Sequence, residues 1–380
     1  MIFDYDTLKF IWWLFVGVLL IGFALTDGFD LGVAALLRYA ARNDDERRVV
    51  INSIGPVWEG NQVWFVTAGG ALFAAWPLVY AAAFSGFYFA LLLVLLALIL
   101  RPVGFDFRSK VPDPRWRGFW DWGLFVSGAV PALVFGVTFG NLLQGVPFHY
   151  DDTLRPFYTG SFWQLLNPFA LLAGVVSLAM LVMHGGMYLQ LRTEGAIAAR
   201  AARAARVSAL VLIGAFAAAG LWVAGGIDGY RIVSMPDPNA VVPPLAKAIE
   251  RAGGAWLANF RAHPSMWLAP AAGFAGALLA VWLSARNRPG PGIVASAVSV
   301  AGVILTAGLA MFPFIMPSSS EPGASLTMWD ATSSPLTLSI MFWVVVLFLP
   351  IVIGYTTWAY RKMRGKVTVK DIREQGGSVY

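Results

Sequence analysis

Apolar residues in this chain come in long unbroken runs, not in alternation. Ala81 to Leu100 carries no charge, and no charged residue lies between Glu59 and Arg101. A helix that crosses a bilayer needs about 20 mostly apolar residues. A transmembrane barrel would show short alternating segments instead. The pattern predicts nine spans, over about 10–37, 50–75, 78–100, 122–143, 163–190, 207–226, 265–285, 293–315 and 337–360. Ala75-Trp76-Pro77 makes a tight turn between the second and third. The predicted fold is all-α and integral to the membrane, a single polytopic domain over 1–380.

Lysine and arginine set the orientation, because cytoplasmic loops carry them in excess. With the N-terminus outside and the C-terminus cytoplasmic, 21 of the 27 basic residues fall on the inner side. The longest outer connection, about 227–264, holds Pro236, Pro238, Pro243 and Pro244, then Leu245 to Phe260, which reads as a short surface helix. An offset of 157 residues aligns Gly17-Val18 with Gly174-Val175 and Asp27-Gly28 with His184-Gly185. Two four-helix bundles plus one peripheral helix fit that echo.

Composition narrows the class. Hydrophobic residues make up 58% and charged residues 13% of the 380, and mean hydropathy is +0.68. Soluble domains run near 45–50% and 25%, so a soluble enzyme and a disordered chain are both excluded. The chain has no cysteine, which excludes disulfides, thiolate zinc sites, iron–sulfur clusters and Cys-x-x-Cys-His haem attachment. The net charge of +6 belongs to loops and gives no nucleic-acid surface. Asp4 and Asp6 stand where a signal peptide would be basic, so the first helix is expected to stay in the mature chain.

Three carboxyl groups fall inside predicted spans: Asp27, Asp30 and Glu59. A charge in hydrocarbon is costly and usually marks function. Asp27 and Asp30 are three apart and share a helix face. Measured along the helices, all three sit at similar depth in the inner half. Two readings stay open: a proton or cation path, or a kink cap at Gly28 or Gly32 and pairing with an arginine for assembly. Trp58-Glu59-Gly60-Asn61-Gln62-Val63-Trp64 is the densest polar run in any span. Asn61 and Gln62 each donate and accept, which suits relay waters or helix–helix contacts. Arg101 and Asp121 sit at inner span ends, where they can anchor by snorkelling. His184 is the one histidine in a span and reads as a packed or hydrogen-bonded residue; no haem ligand set is evident. On residues alone two classes remain, a proton- or ion-coupled transporter and a membrane subunit of an energy-converting enzyme.

The chain closely resembles subunit II of the cytochrome bd-type quinol oxidases. The resemblance rests on Phe10-Ile11-Trp12-Trp13, Thr26-Asp27-Gly28-Phe29-Asp30-Leu31-Gly32, Ile51-Asn52-Ser53-Ile54, the Trp58 to Trp64 run, Gly69 to Pro77, Arg101-Pro102-Val103-Gly104-Phe105-Asp106, Asn141-Leu142-Leu143-Gln144-Gly145, Met311-Phe312-Pro313-Phe314 and Ser325-Leu326-Thr327-Met328-Trp329-Asp330-Ala331. It implies a bacterial inner-membrane heterodimer with a haem-bearing subunit I, with room for a small third single-span subunit. That partner would oxidise quinol at the outer face and reduce dioxygen to water through two b-type haems and one d-type haem. Subunit II would carry no haem and no catalytic group of its own. Asp30, Glu59, Arg101 and Asp121 match family positions tied to haem retention or proton supply, with Asp27, Asn61 and Gln62 beside them; were Asp30 paired with Arg101, it would bear on haem retention. Trp64 matches a position tied to oxygen access. One departure stands out: the family's usual acid before Gly-Asn-Gln is aspartate, and here it is Glu59, longer by roughly 1.3 Å on standard bond lengths.

Overall fold

The computed structural model describes residues 3–374. Helices α1 (Tyr5–Leu25) and α2 (Asp27–Ala40) form one crossing, interrupted at Thr26. Then come α3 (Asp44–Ile54), α4 (Trp58–Ala75), α5 (Pro77–Gly86), α6 (Tyr88–Phe107), α7 (Pro114–Gln144), α8 (Pro168–Arg192) and α9 (Gly195–Gly226). The chain closes with α10 (Ala258–Ala262), α11 (Leu268–Ala285), α12 (Pro289–Met311), α13 (Pro335–Lys362) and α14 (Val369–Glu374). Helix starts follow local chemistry. Asp113, Asn167 and Ser334 each cap a free backbone N–H of the turn that follows, and each precedes a proline at the first helical position. Asn43 accepts from the Glu46 N–H while Glu46 accepts from the Arg42 N–H, which starts α3 at the inner surface.

Eight helical segments among the described residues are long and apolar enough to cross a bilayer. The predicted second span differs. It breaks at residues 55–57, where Pro56 cannot donate to a helix ladder. The piece before the break is the polar-faced α3, and α4 carries Glu59, Asn61 and Gln62 in its first turns. The predicted third span begins in α5, bends at Phe87 and runs on in α6 to Phe107.

Helices α8, α9, α11 and α12 pack as one group, and α1–α2, α4, α6 and α7 as another. The two meet where α2 and α7 pack on α8, with Gly32 against Gly185 and Gly136 against Gly174. Helix α13 leans on α1 and α4 and buries only Leu338. The outer connection corrects the expected surface helix: β3 (Asp228–Ser234) and β4 (Ala248–Gly253) form an antiparallel hairpin, and helical turns begin only at Ala255. Two other short hairpins, β1 (Phe148–Tyr150) with β2 (Pro156–Tyr158) and β5 (Phe314–Met316) with β6 (Leu326–Thr327), complete the outer cap. Two buried lysines hold it together. Lys9 donates to the carbonyls of Pro238 (2.7 Å) and Trp329 (2.6 Å). Lys247 pairs with Asp330 at 2.8 Å. Burial pushes the Lys247 ammonium below the ordinary lysine range, against the pull of Asp330, and pushes Asp330 up.

Candidate functional site

The break in the first crossing builds the site. Thr26 Oγ1 donates to the Gly22 carbonyl at 2.7 Å, and the Phe29 N–H turns to the Thr26 carbonyl at 3.2 Å. The Leu25 carbonyl is met instead by His184 Nε2 at 3.1 Å. A carbonyl only accepts, so Nε2 carries the proton in that bond. Nδ1 faces Ser296 Oγ at 2.7 Å. Both ring nitrogens of this buried histidine are therefore engaged. Asp27 and Asp30 fall in the first turn of α2, where the exposed N–H groups of a helix start favour negative charge.

Both carboxyl groups are buried, with relative exposures of 1% and 0%. Arg101 pairs with Asp27 and not with Asp30: Arg101 NH1 donates to Asp27 Oδ1, and Arg101 NH2 reaches Asp27 Oδ2 at 3.5 Å. Arg101 does not snorkel either. It is fully buried, because α6 runs six residues beyond it. Asp30 Oδ2 accepts from Asn61 Nδ2 at 2.7 Å, and Asn61 Oδ1 accepts from the Tyr360 hydroxyl at 2.5 Å. Asp30 Oδ1 is buried with no protein partner. Phe29 stacks on Tyr188 at a centroid distance of 4.0 Å and walls the cluster toward α8.

Glu59 does not join this cluster. Residues two apart on a helix lie about 200° apart, so with Asn61 buried, Glu59 faces out of the chain and is exposed. Gln62 is half-buried. The Trp64 ring lies against Gly22 of α1 and lines a cavity of about 470 Å³ with Thr356, Thr357, Tyr360, Arg361 and Arg364.

A second charged layer lies seven residues along α6, or roughly 10 Å nearer the inner surface. Buried Arg108 donates to Asp121 Oδ1 at 2.7 Å and to Asp44 Oδ1 at 2.9 Å. Arg47 reaches Asp121 at 2.8 Å and Arg117 reaches Asp44 at 2.7 Å. Asp121 is thus clamped between two guanidinium groups, two turns inside α7. Tyr360, Arg108 and Arg47 carry no sequence signal of this role, and His184 is legible only as a packed or hydrogen-bonded residue, as it proves to be. A lone tyrosine near the end of a span reads as part of the interfacial belt, and only long-range contacts bring these four to the cluster.

Residues 8–363 match the family of cytochrome bd terminal oxidase subunit II. The chain is 57% identical to cytochrome bd-I ubiquinol oxidase subunit 2 of Escherichia coli K12, over 99% of this chain and all of the relative. It is 53% identical to a probable cytochrome oxidase subunit 2 of Haemophilus influenzae, with the same coverage. It is 32% identical to cytochrome bd ubiquinol oxidase subunit 2 of Bacillus subtilis, over 95% of this chain and 97% of that one. Its fold is similar to that of the bd oxidase from Geobacillus thermodenitrificans, with a TM-score of 0.60 at 15% identity over 93% of this chain and 98% of that one. The interrupted first crossing and its buried acids therefore belong to a subunit II of the cytochrome bd terminal oxidases, a membrane part of an oxygen-reducing enzyme that works with a subunit I.

Proposed function

We propose that this subunit carries no haem, braces the haem-bearing subunit I, and supplies cytoplasmic protons to it while quinol is oxidised and dioxygen is reduced to water. The quinol would be ubiquinol, as in the name of the Escherichia coli relative. Each dioxygen takes four electrons and four protons. Drawing the protons from inside while quinol releases its own outside makes the reaction electrogenic without a pump.

The observation that carries this reading is Asp30 Oδ1, a buried carboxyl oxygen with no protein partner. Buried polar atoms are nearly always satisfied, by protein or by ordered water. Arg101 Nε, Trp58 Nε1, Trp120 Nε1 and Arg108 NH1 are likewise buried and unpartnered. Trp58 lies beside Arg101 and Trp120 beside Gly104, so these atoms follow one face of α6 from the Asp121 layer toward the acids. A file of waters along that face would satisfy all of them and conduct protons. In this reading Asp121, Arg108 and Asp44 form the inner mouth, Arg101 holds Asp27, and Asp30 exchanges the proton. Glu59 stands on the flank of α4, from which it would meet subunit I. Trp64 borders the open cavity between α4 and α13, which suits a role in oxygen access.

Two experiments test this. Expressed alone, the chain should be colourless, while the co-purified complex carries haem; stoichiometric haem in the isolated chain would overturn the assignment. In proteoliposomes of the complex, Asp30→Asn should slow quinol oxidation and inner-side proton uptake at least tenfold with haem content unchanged. Glu59→Gln should slow them less, because Glu59 lies outside the buried cluster. Normal proton uptake in both variants at full haem content would leave these acids a structural role.

A further inference from the structure

Tyr360 belongs to α13, which otherwise barely packs on the rest of the chain. Its hydroxyl nevertheless reaches into the polar cluster and donates to Asn61 Oδ1 at 2.5 Å. The Asn61 amide then donates to Asp30 Oδ2 at 2.7 Å. Three side chains from α13, α4 and α2 thus form one directed chain. We propose that Tyr360 is a positioning residue for Asp30, acting through Asn61 to leave Oδ1 as the oxygen that takes and gives up the proton.

The chemistry follows from the donor and acceptor inventory. An asparagine amide has a carbonyl end and an NH₂ end, and only the NH₂ end suits a carboxylate. A hydroxyl bonded to the carbonyl end holds the NH₂ end on Asp30. Donation to Oδ2 suits both states of the acid, the carboxylate and the neutral form protonated on Oδ1. The carboxyl group therefore keeps one rotamer through a proton-transfer cycle, with Oδ1 always facing the unpartnered side. Without the hydroxyl, the Asn61 carbonyl is left buried and unpaired. The amide then gains by turning toward other donors, and Asp30 loses its fixed orientation. Among the described residues, the charged and titratable groups that act on or feel Asp30 include Asp27 on α2, Arg101 on α6, Tyr188 on α8 and Tyr360 itself. Of these, Tyr360 is the one joined to Asp30 through the Asn61 amide.

This inference rests on the proton-supply reading above, and the test separates the two. Tyr360→Phe, Asn61→Ala, their combination and Asp30→Asn are made in the complete oxidase. Turnover, KM for quinol, haem content and redox-difference infrared spectra are measured. The carboxyl stretch of Asp30 is assigned by its loss in Asp30→Asn. Tyr360→Phe should keep haem content and KM, lower turnover three- to tenfold, and shift or broaden that band. Asn61→Ala should lower turnover by a similar factor, and adding Tyr360→Phe to it should cost nothing more, because the two act in series. Additive losses, an unmoved band at full turnover, or loss of the complex in Tyr360→Phe would make Tyr360 only a tether of α13 and overturn the inference. Full turnover in Asp30→Asn would remove the proton-supply reading itself. Slow turnover in Asp30→Asn with normal Tyr360→Phe would remove this inference alone.

Discussion

Replacing Arg101 by leucine is expected to destabilise the subunit by about 3–5 kcal/mol, the usual cost of removing one partner from a buried ion pair. Asp27 would be left in a fully buried site beside Asp30, with no other ion-pair partner among the described residues. That cost is a large fraction of the about 5–15 kcal/mol that keeps a typical domain folded, so the recovered complex should fall steeply. The haem spectrum of what remains should also be lost at a lower temperature. Asp27→Leu combined with Arg101→Leu should recover most of the loss, because paired apolar groups of similar volume replace buried ion pairs at little cost. The measurement is the yield and thermal midpoint of the haem-bearing complex for both single variants and the double variant. An Arg101→Leu subunit as stable as the parent would mean that Asp27 is already neutral and the pair is not ionic.

The helices were legible because hydrocarbon leaves the chain so few options. Every backbone polar group must be satisfied within the span, so long apolar runs announce crossings, and eight are found among the described residues. The interruptions were much less legible. Phe87 is an ordinary residue in an apolar run, and although the acids beside Thr26 allowed a kink, the break there is met by a distant group, His184. The direction in which a side chain points was also hidden. In water, polar residues mark the outer face of a helix, but a membrane helix is apolar all round and its sequence has little phase. Glu59 and Asn61 therefore read as one polar patch, although α4 turns one outward and the other into the core. The choice of Asp27 over Asp30 as the partner of Arg101 follows the same logic. The two acids share a face, and only the packing of α6 on the bundle decides which one the guanidinium meets. The outer hairpin was misread because Leu245 to Phe260 holds good helix formers. Gly253-Gly254, with Gly254 at φ +69°, stops the strand and lets Trp256 fold under β3.

Gly32→Val should be the most damaging change that touches no polar group. Helix α2 crosses α8 at Gly32, where a Cβ would overlap the Leu181 carbonyl oxygen. On the other side, a Cβ on Gly185 would stand 2.6 Å from the backbone carbon of Gly32. Both obstacles are backbone, so no rotamer change relieves them and the helices must separate. Overpacking a close contact costs about 1–3 kcal/mol, and more when the backbone must move. Separation also reaches the site. Asp30 lies two residues before Gly32, and His184, which holds the Leu25 carbonyl, lies next to Gly185. Gly28→Ala is the control: of its three nearest neighbours its Cβ would crowd only the Cδ2 end of the Leu181 side chain, at 2.9 Å, and that methyl can rotate away. Gly32→Val should therefore lose most of the assembled complex and most of the turnover of what remains, while Gly28→Ala keeps both within about twofold. Thermal midpoints of the haem-bearing complex and quinol oxidase rates decide it. If the two variants behave alike, the crossing of α2 and α8 is looser than the backbone contact at Gly32 requires, and the placement of Asp30 does not depend on it.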